Sequence, residues 1–209
     1  MAQIYKVFFN KISFEIKPYY LAIDKTFENL IFDCFIEFVD ALNLELAKKE
    51  KYKKRLILKS KNIENDWRLL LENLNKFDLV IASGGIIQNN LNECLFIYRN
   101  NYWDLPKGKV EKNEKLVYAA KREIFEECGL RGLEFNSFIA KTYHIYFENG
   151  QGKLKQTNWF SFYSKDSQIL KPQLEEGITD LKWVQKKNLK VYLKRSFRSI
   201  EELFKCFLK

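Results

Sequence analysis

Glycine and proline are scarce in this sequence, and long apolar runs are missing. The 209 residues include eight glycines and three prolines; with no segment recurring at a fixed period, collagen-like and repeat architectures are excluded. The apolar runs are short, such as residues 79–82, whereas a membrane-spanning helix needs about 20 apolar residues. The first residues carry charge at Lys6 and Lys11 and lack a signal-like apolar stretch. We therefore expect a cytoplasmic protein with no membrane partner.

Histidine occurs once, and the cysteines are dispersed. His144 is the only histidine, which excludes a zinc site built on two histidines. Cys34, Cys94, Cys128 and Cys206 lie far apart along the chain, so none forms the close pair typical of a zinc site or a redox dithiol. We interpret them as reduced thiols.

The residues that are abundant are apolar or basic. Apolar residues make up 46% of the chain and aromatic residues 16%, which supplies a core and excludes disorder as the main state. Lysine and arginine number 36 against 27 acidic residues, giving a net charge of +9. This balance favours an anionic ligand, whether nucleotide, polyphosphate or nucleic acid.

The first part of the chain predicts a small unit of strands and helices. Residues 4–16 alternate as in a hairpin with a turn at residues 10–11, and the apolar spacing over residues 26–47 predicts one amphipathic helix. A short strand at 56–58 and a helix at 66–74 follow. We place a domain boundary after residue 75, so residues 1–75 form a small α+β accessory domain of unknown role. The basic run at residues 48–55 either contacts phosphates or ends a solvated helix.

Residues 76–209 predict a second domain with several strands. Strands are expected at 77–87, 94–99, 139–147, 156–163 and 181–184, with a loop over 100–109. A helix is expected at 114–128, capped by Asn113 and stopped by Gly129, and another helix at the C-terminus. Strands mixed with helices at intervals indicate an α+β or α/β sandwich.

Three carboxylates crowd one face of the predicted helix at 114–128. Glu123, Glu126 and Glu127 stand at i, i+3 and i+4, which places them about 5–6 Å from one another. Arg122 supplies part of the counter-charge. Taken alone, the triplet is read either as a site for a divalent cation or as the solvated face of a surface helix.

The wider pattern around this helix is specific. Gly108 is followed after five residues by Glu114, and Arg122-Glu123 follow after seven more; an aliphatic Ile124 and the remaining glutamates lead to Gly129 and Leu130. In these residues and spacings the sequence resembles the Nudix hydrolases. Residues 83–87 resemble the entry strand of that family's domain, and residues 103–108 its approach to the catalytic loop. The resemblance covers about residues 77–209.

The resemblance implies a fold, a reaction and a metal site. The fold is a mixed sheet between helices, an α/β/α sandwich. The reaction is hydrolysis of a diphosphate bond in a nucleoside diphosphate linked to another group. By motif position, Glu123, Glu126, Glu127 and the backbone carbonyl of Lys107 would bind magnesium, with manganese as a substitute. Glu114 would order the metal's water ligands, and Arg122 would orient Glu123.

The general base and the substrate contacts stay open. Members of the family use either a glutamate of the signature helix, here Glu123 or Glu127, or one from a later loop, here Glu176. Lys107 and Lys109 flank Gly108, where their ammonium groups would meet phosphate oxygens or water. Three aromatic side chains either stack on a base or belong to the core: Trp103, Tyr143 and Phe160.

Three functions compete at this point. The first is a hydrolase acting on a small nucleotide or polyphosphate, such as a dinucleoside polyphosphate or an ADP-ribose-type compound. The second is a sensor of the same fold that binds a nucleotide metabolite without turnover. The third is an enzyme that removes 5′ phosphates from RNA, which the basic runs at 48–55 and 186–198 favour. A homodimer is one of the roles left open for residues 1–75.

Overall fold

The chain folds into two compact units. A computed structural model of the protein describes residues 5–9, 12–21, 28–47, 54–165 and 169–208. One unit comprises Met1–Leu79 together with Tyr143–Lys155, and the other comprises Val80–Thr142 together with Gln156–Lys209. The predicted second domain ran unbroken over 76–209, whereas the structure assigns residues 143–155 to the first unit. No helix within the described residues is long and apolar enough to cross a membrane.

The first unit packs two helices on one face of a sheet. Its own strands are β1 (Tyr5–Phe9), β2 (Ile12–Pro18), β3 (Glu28–Phe32) and β4 (Lys54–Ser60), and its helices are α1 (Phe35–Ala47) and α2 (Ile63–Asn73). β1 and β2 form the predicted antiparallel hairpin, whose turn at residues 10–11 lies outside the described part. β1 also pairs in parallel with residues 143–145. This pairing explains why that later segment belongs to the first unit.

The predicted helix over 26–47 is wrong in its first part. Residues 26 and 27 lie outside the described residues, and residues 28–32 form β3. β3 runs parallel to β4, with Leu30 opposite Leu56 and Phe32 opposite Leu58. The helical spacing of the apolar residues was therefore overridden by sheet pairing with a distant strand. Helix α1 begins at Phe35 and buries Phe38 and Leu42, among others.

The basic run at 48–55 is described only at its end. Residues 48–53 lie outside the described part of the chain, and Lys54 and Arg55 begin β4. Nε of Arg55 donates to Oε1 of Glu15 at 3.1 Å, and both side chains are buried. Arg55 is thus a buried strand residue that neither contacts phosphates nor ends a solvated helix, whereas both readings stay open for residues 48–53.

The remaining strands and helices lie wholly or mostly in the second unit, although residues 78–79 and the parts of two strands within 143–155 belong to the first. The strands are β5 (Asp78–Asn89), β6 (Cys94–Arg99), β7 (Tyr102–Asp104), β8 (Lys107–Lys109), β9 (Glu134–Glu148), β10 (Gln151–Ser164) and β11 (Ile178–Val184), and the helices are α3 (Leu116–Cys128), α4 (Leu189–Leu193) and α5 (Arg198–Phe207). Within this unit the strand order is β11-β6-β5-β10-β9, while β7 pairs with β6 and β8 with β5.

Helices cover both faces of this sheet. Alternate residues of β6 belong to different cores: Cys94 and Phe96 share one with Phe204 of α5, whereas Leu95 shares the other with Ile124 of α3. Such alternation is what a strand buried on both faces requires. The expected α+β fold, a mixed sheet between helices, is confirmed.

Two local expectations around α3 fail. Residues 100–109 were expected to be a loop, but β7 and β8 form there because Trp103 pairs with Tyr98 and Lys107 with Gly84. Asn113 does not cap α3: its φ of 65° places it in a left-handed turn, and the helix begins at Leu116. The predicted stop is confirmed, because Gly129 has a φ of 77° and its N–H bonds the carbonyl of Phe125.

Candidate active site

Arg122 of α3 connects three carboxylates and the loop that precedes the helix. Its Nε and Nη2 donate to the two oxygens of Glu114, both at 2.9 Å. Its Nη1 donates to Oε1 of Glu123 at 2.8 Å and to Oε2 of Glu126 at 2.9 Å. Nη2 also donates to the carbonyl of Lys109 at 3.0 Å. The guanidinium therefore holds the Glu123 carboxylate in one orientation and also bonds the backbone of β8 at Lys109.

This network shifts the pKa values of its members. The hydrogen bonds from Arg122 lower the pKa of Glu114, and a hydrogen bond from the backbone N–H of Glu111 acts in the same direction. The hydrogen bond to Glu114 in turn raises the pKa of Arg122. Glu114 is thus held ionised at the N-terminal side of α3, as a partner of Arg122.

Glu123 lies against the backbone at Gly108. Its side chain is buried, and any Cβ at position 108 would collide with its carboxylate. The glycine is therefore required by the close approach of Glu123. Burial raises the pKa of Glu123, while Arg122 opposes that rise.

Glu127 is the most deeply buried acid of the helix, with 1% of its surface exposed. Its Oε2 accepts the backbone N–H of Lys107 at 2.9 Å, and its Oε1 lies 3.7 Å from Nη1 of Arg99. Burial raises the pKa of Glu127 to about 7, although Lys107 and Arg99 favour its charged form. The neighbouring cations therefore do not fully compensate the cost of burying the Glu127 carboxylate.

The two lysines beside Gly108 are placed differently. The ammonium of Lys107 pairs with the buried carboxylate of Asp104 and bonds the carbonyl of Leu105 at 3.3 Å. It therefore faces the chain's own acid, not an open phosphate position. The side chain of Lys109 is exposed, and its backbone carbonyl receives the bond from Arg122.

Arg99 brings the later loop to the helix. Its Nη1 donates to Oε2 of Glu176 at 3.2 Å while lying near Glu127. Glu176 sits on a short 3-10 turn, Leu174–Glu176, just before β11. The structure therefore brings Glu176 beside Glu127. The sequence analysis did not include Arg99 or Asp104 among the site residues. The signal for Arg99 was a cation at the end of a predicted strand, and the signal for Asp104 was an acid directly after Trp103.

The aromatic candidates belong to the cores. Trp103 is 9% exposed, and its ring centroid lies 4.9 Å from those of Tyr98 and Tyr192. Phe160 is buried in the core below α3. Tyr143 packs against Trp67 in the core of the first unit. None of these three rings presents an open face for stacking on a base.

The acidic side chains fit a divalent cation by their chemistry. Among the described residues, no three acidic, histidine or cysteine side chains already converge as a ligand set, because Arg122 lies between Glu123 and Glu126 while Glu127 bonds Lys107. Their carboxylate oxygens are nevertheless the donors that magnesium prefers. Two of them are buried with raised pKa values, so a nearby cation would relieve the cost of their burial.

Comparison with known proteins assigns the family. The NUDIX domain matches residues 78–203, more than half of the chain. The chain belongs to the NUDIX family. Members of this family generally use a divalent metal ion. The match begins at the start of β5 and ends within α5.

Individual relatives are more distant. An 8-oxo-dGTP diphosphatase of Buchnera aphidicola subsp. Acyrthosiphon pisum is 49% identical over 41 residues, which is 20% of this chain and 33% of the relative. An RNA pyrophosphohydrolase of Pelagibacter ubique is 24% identical over 131 residues, 55% of this chain and 83% of the relative. The chain thus spans about a third of the length of the Buchnera diphosphatase.

A solved structure has a fold similar to part of this chain. The structure of a C. elegans Ap4A hydrolase binary complex has a TM-score of 0.51 and 22% sequence identity, covering 61% of this chain and 94% of that chain.

Proposed function

We propose that this NUDIX protein is a magnesium-dependent hydrolase, with manganese as a substitute, that cleaves a diphosphate bond in a nucleoside diphosphate linked to another group. One observation carries the proposal: the guanidinium of Arg122 gathers Glu114, Glu123 and Glu126 at the junction of the loop and α3. The diphosphatase and pyrophosphohydrolase names of the relatives support hydrolysis as the reaction.

The residues that would hold the metal are Glu123, Glu126, Glu127 and the backbone carbonyl of Lys107. When bound there, magnesium would lower the pKa of water and neutralise charge on phosphate oxygens. Arg122 keeps the Glu123 and Glu126 carboxylates in place, and the Lys107 N–H keeps Glu127 in place. Each carboxylate is therefore partly ordered before the metal binds, although the three must still converge on it.

The chemistry of the step is a hydrolysis. The oxygen of water forms a bond to one phosphorus, the bridging P–O bond breaks, and the bridging oxygen leaves with the other phosphate. A carboxylate takes the proton of the attacking water. Glu123, Glu127 and Glu176 stay the candidates for that base. Glu176 is supported as the base because 47% of its side chain is exposed, so water can reach it, and because it lies beside buried Glu127.

A substrate panel tests this function. Phosphate or nucleotide release is measured with magnesium on dinucleoside polyphosphates, ADP-ribose, nucleotide sugars, nucleoside triphosphates and 5′-triphosphorylated RNA. We expect cleavage of at least one class, stopped by EDTA. If nothing is cleaved while a nucleotide still binds, the chain is a sensor and the proposed function is wrong.

A further inference from the structure

One stretch of the second unit concentrates positive charge. Residues 181–200 contain no aspartate or glutamate, and they contain seven basic residues: Lys182, Lys186, Lys187, Lys190, Lys194, Arg195 and Arg198. Acidic residues resume only at Glu201 in α5. Much of the chain's net charge of +9 therefore stands in this part, residues 182–198, which we call the basic segment.

The charges of the basic segment face solvent. Lys186, Lys187, Lys190, Lys194 and Arg195 are all exposed, whereas Leu189 between them is buried and anchors the segment. Within the part of the chain that the structure describes, these five side chains make no ion pair. A run of exposed cations with no acidic residue in the same segment attracts a polyanion from solution.

An exposed aromatic pair adjoins the basic segment. The rings of Tyr102 and Phe197 stack with centroids 4.8 Å apart and an interplanar angle of 26°. Tyr102 is 45% exposed and Phe197 41% exposed. Unlike Trp103, these rings offer surface on which a base could stack. We call Tyr102 and Phe197 the aromatic pair.

Backbone contacts link this surface to the candidate active site. The N–H of Trp103 donates to the carbonyl of Arg195 at 3.0 Å, so β7 and the basic segment are held together. Tyr102 is the register partner of Arg99 across β6 and β7, which places their side chains on the same face of the sheet about 5 Å apart. Arg99 in turn contacts Glu127 and Glu176. The surface therefore begins next to the acids of the site.

We infer that the basic segment and the aromatic pair bind single-stranded RNA whose 5′ phosphates lie at the candidate active site. The exposed cations would pair with the phosphates of the RNA strand. The aromatic pair would stack on unpaired bases, which a duplex does not expose. This inference rests on the proposed function, since it names the group linked to the diphosphate as an RNA strand.

The charge contribution is tested by salt-dependent binding. Anisotropy of a labelled, unstructured RNA carrying a 5′-triphosphate is measured in EDTA for the full chain and for K190Q/K194Q/R195Q. If the three side chains neutralise phosphates, the slope of log affinity against log salt falls by about 2. The matched control K61Q/K141Q/K171Q removes the same charge from exposed sites elsewhere. Equal slopes for the two triple variants would overturn the inference.

The aromatic contribution separates single-stranded RNA from other polyanions. Tyr102→Ala should weaken binding of the RNA about 10-fold and leave binding of polyglutamate unchanged. If Tyr102→Ala affects neither ligand, or both equally, the surface is a general polyanion site and the inference is wrong. Thermal unfolding of each variant, compared with the unchanged chain, shows whether the fold is retained.

Hydrolysis distinguishes this inference from the proposed function. If the chain binds RNA as expected but cleaves no substrate in the panel, the surface stands and the proposed function fails. If it cleaves small nucleotides while K190Q/K194Q/R195Q binds and cleaves RNA like the control, the proposed function stands and the inference fails.

Discussion

Arg99 donates a hydrogen bond to Glu176 across 77 residues of sequence, at 3.2 Å. The same nitrogen lies 3.7 Å from buried Glu127, so one guanidinium ties the later loop to α3. Neither residue of the pair lies in the signature, yet both stand at its edge in space. This relationship gives Glu176 a defined position, which a loop glutamate in solvent would lack.

If Arg99 positions Glu176 for proton transfer, the two residues act as a unit. We expect Glu176→Gln to lower kcat by about 100-fold or more and Arg99→Gln to lower kcat with it. The double variant should be no slower than Glu176→Gln alone, because the same function has been removed twice. The measurement is kcat and KM for the four proteins. Additive losses, or a change confined to KM, would show that Arg99 acts on substrate independently of Glu176.

Replacing the guanidinium of Arg122, which bonds both oxygens of Glu114, should destabilise the fold. Arg122→Lys keeps the charge but loses the paired bonds to Glu114, and we expect a loss of about 1–3 kcal/mol in the free energy of unfolding without metal. Part of the loss should return with magnesium, because the cation compensates the same carboxylates. Urea denaturation with and without magnesium measures both effects.

The matched control for Arg122→Lys is Arg68→Lys. Arg68 pairs with Glu72 on the exposed face of α2, where a surface ion pair contributes about 0–1 kcal/mol. A loss at Arg122 no larger than that at Arg68 would contradict the central position we give to the Arg122 guanidinium.

The raised pKa of Glu127 makes stability depend on pH. Its pKa is about 7 in the folded chain against 4.5 ordinarily, so the folded state binds the extra proton between these values. Stability from this group is fully present below about pH 4.5 and is lost as pH rises through 7, by up to about 3 kcal/mol. Urea denaturation in EDTA across pH 4.5–8 measures it, and Glu127→Gln should remove this component. An unchanged profile in Glu127→Gln would contradict the assignment.

Residues 76–209 should not fold well alone. Tyr143, Ile145 and Leu154 are buried in the core of the first unit, and deletion of residues 1–75 would expose them, at a cost of roughly 5 kcal/mol. We expect the truncated chain to unfold at lower temperature and to aggregate. Replacing these three side chains by threonine should improve solubility of the truncated chain only. A truncated chain as stable as the full one would contradict this expectation.

Local spacing predicted the helix that carries the acidic cluster, and pairing between distant segments decided what surrounds it. The helix stop at Gly129 and the contacts of Arg122 with Glu123 and Glu126 involve residues close together on one helix. Such local features could be predicted from the sequence. Arg99 could not be assigned to the site, because its contact with Glu176 depends on β6 and β11 lying side by side.

The first unit shows the same limit. The apolar residues of 26–47 fit a helical period, but Leu30 lies in a strand because β4 is available to pair with it. Nor does the sequence of 143–155 alone show that this segment joins the first unit. Sheet partners supplied by remote segments decide such cases, and single-sequence periodicity carries no information about them.

The most direct test of the proposed chemistry is a magnesium titration of product release. On the substrate cleaved best, the rate is measured for the unchanged chain, for Glu126→Gln and for Glu201→Gln, an exposed acid of α5 that serves as the control. We predict saturable dependence on magnesium, a loss of about 100-fold or more in Glu126→Gln, and no loss in Glu201→Gln. Equal rates in all three proteins, or cleavage that persists in EDTA, would contradict a metal-dependent hydrolase built on the α3 carboxylates.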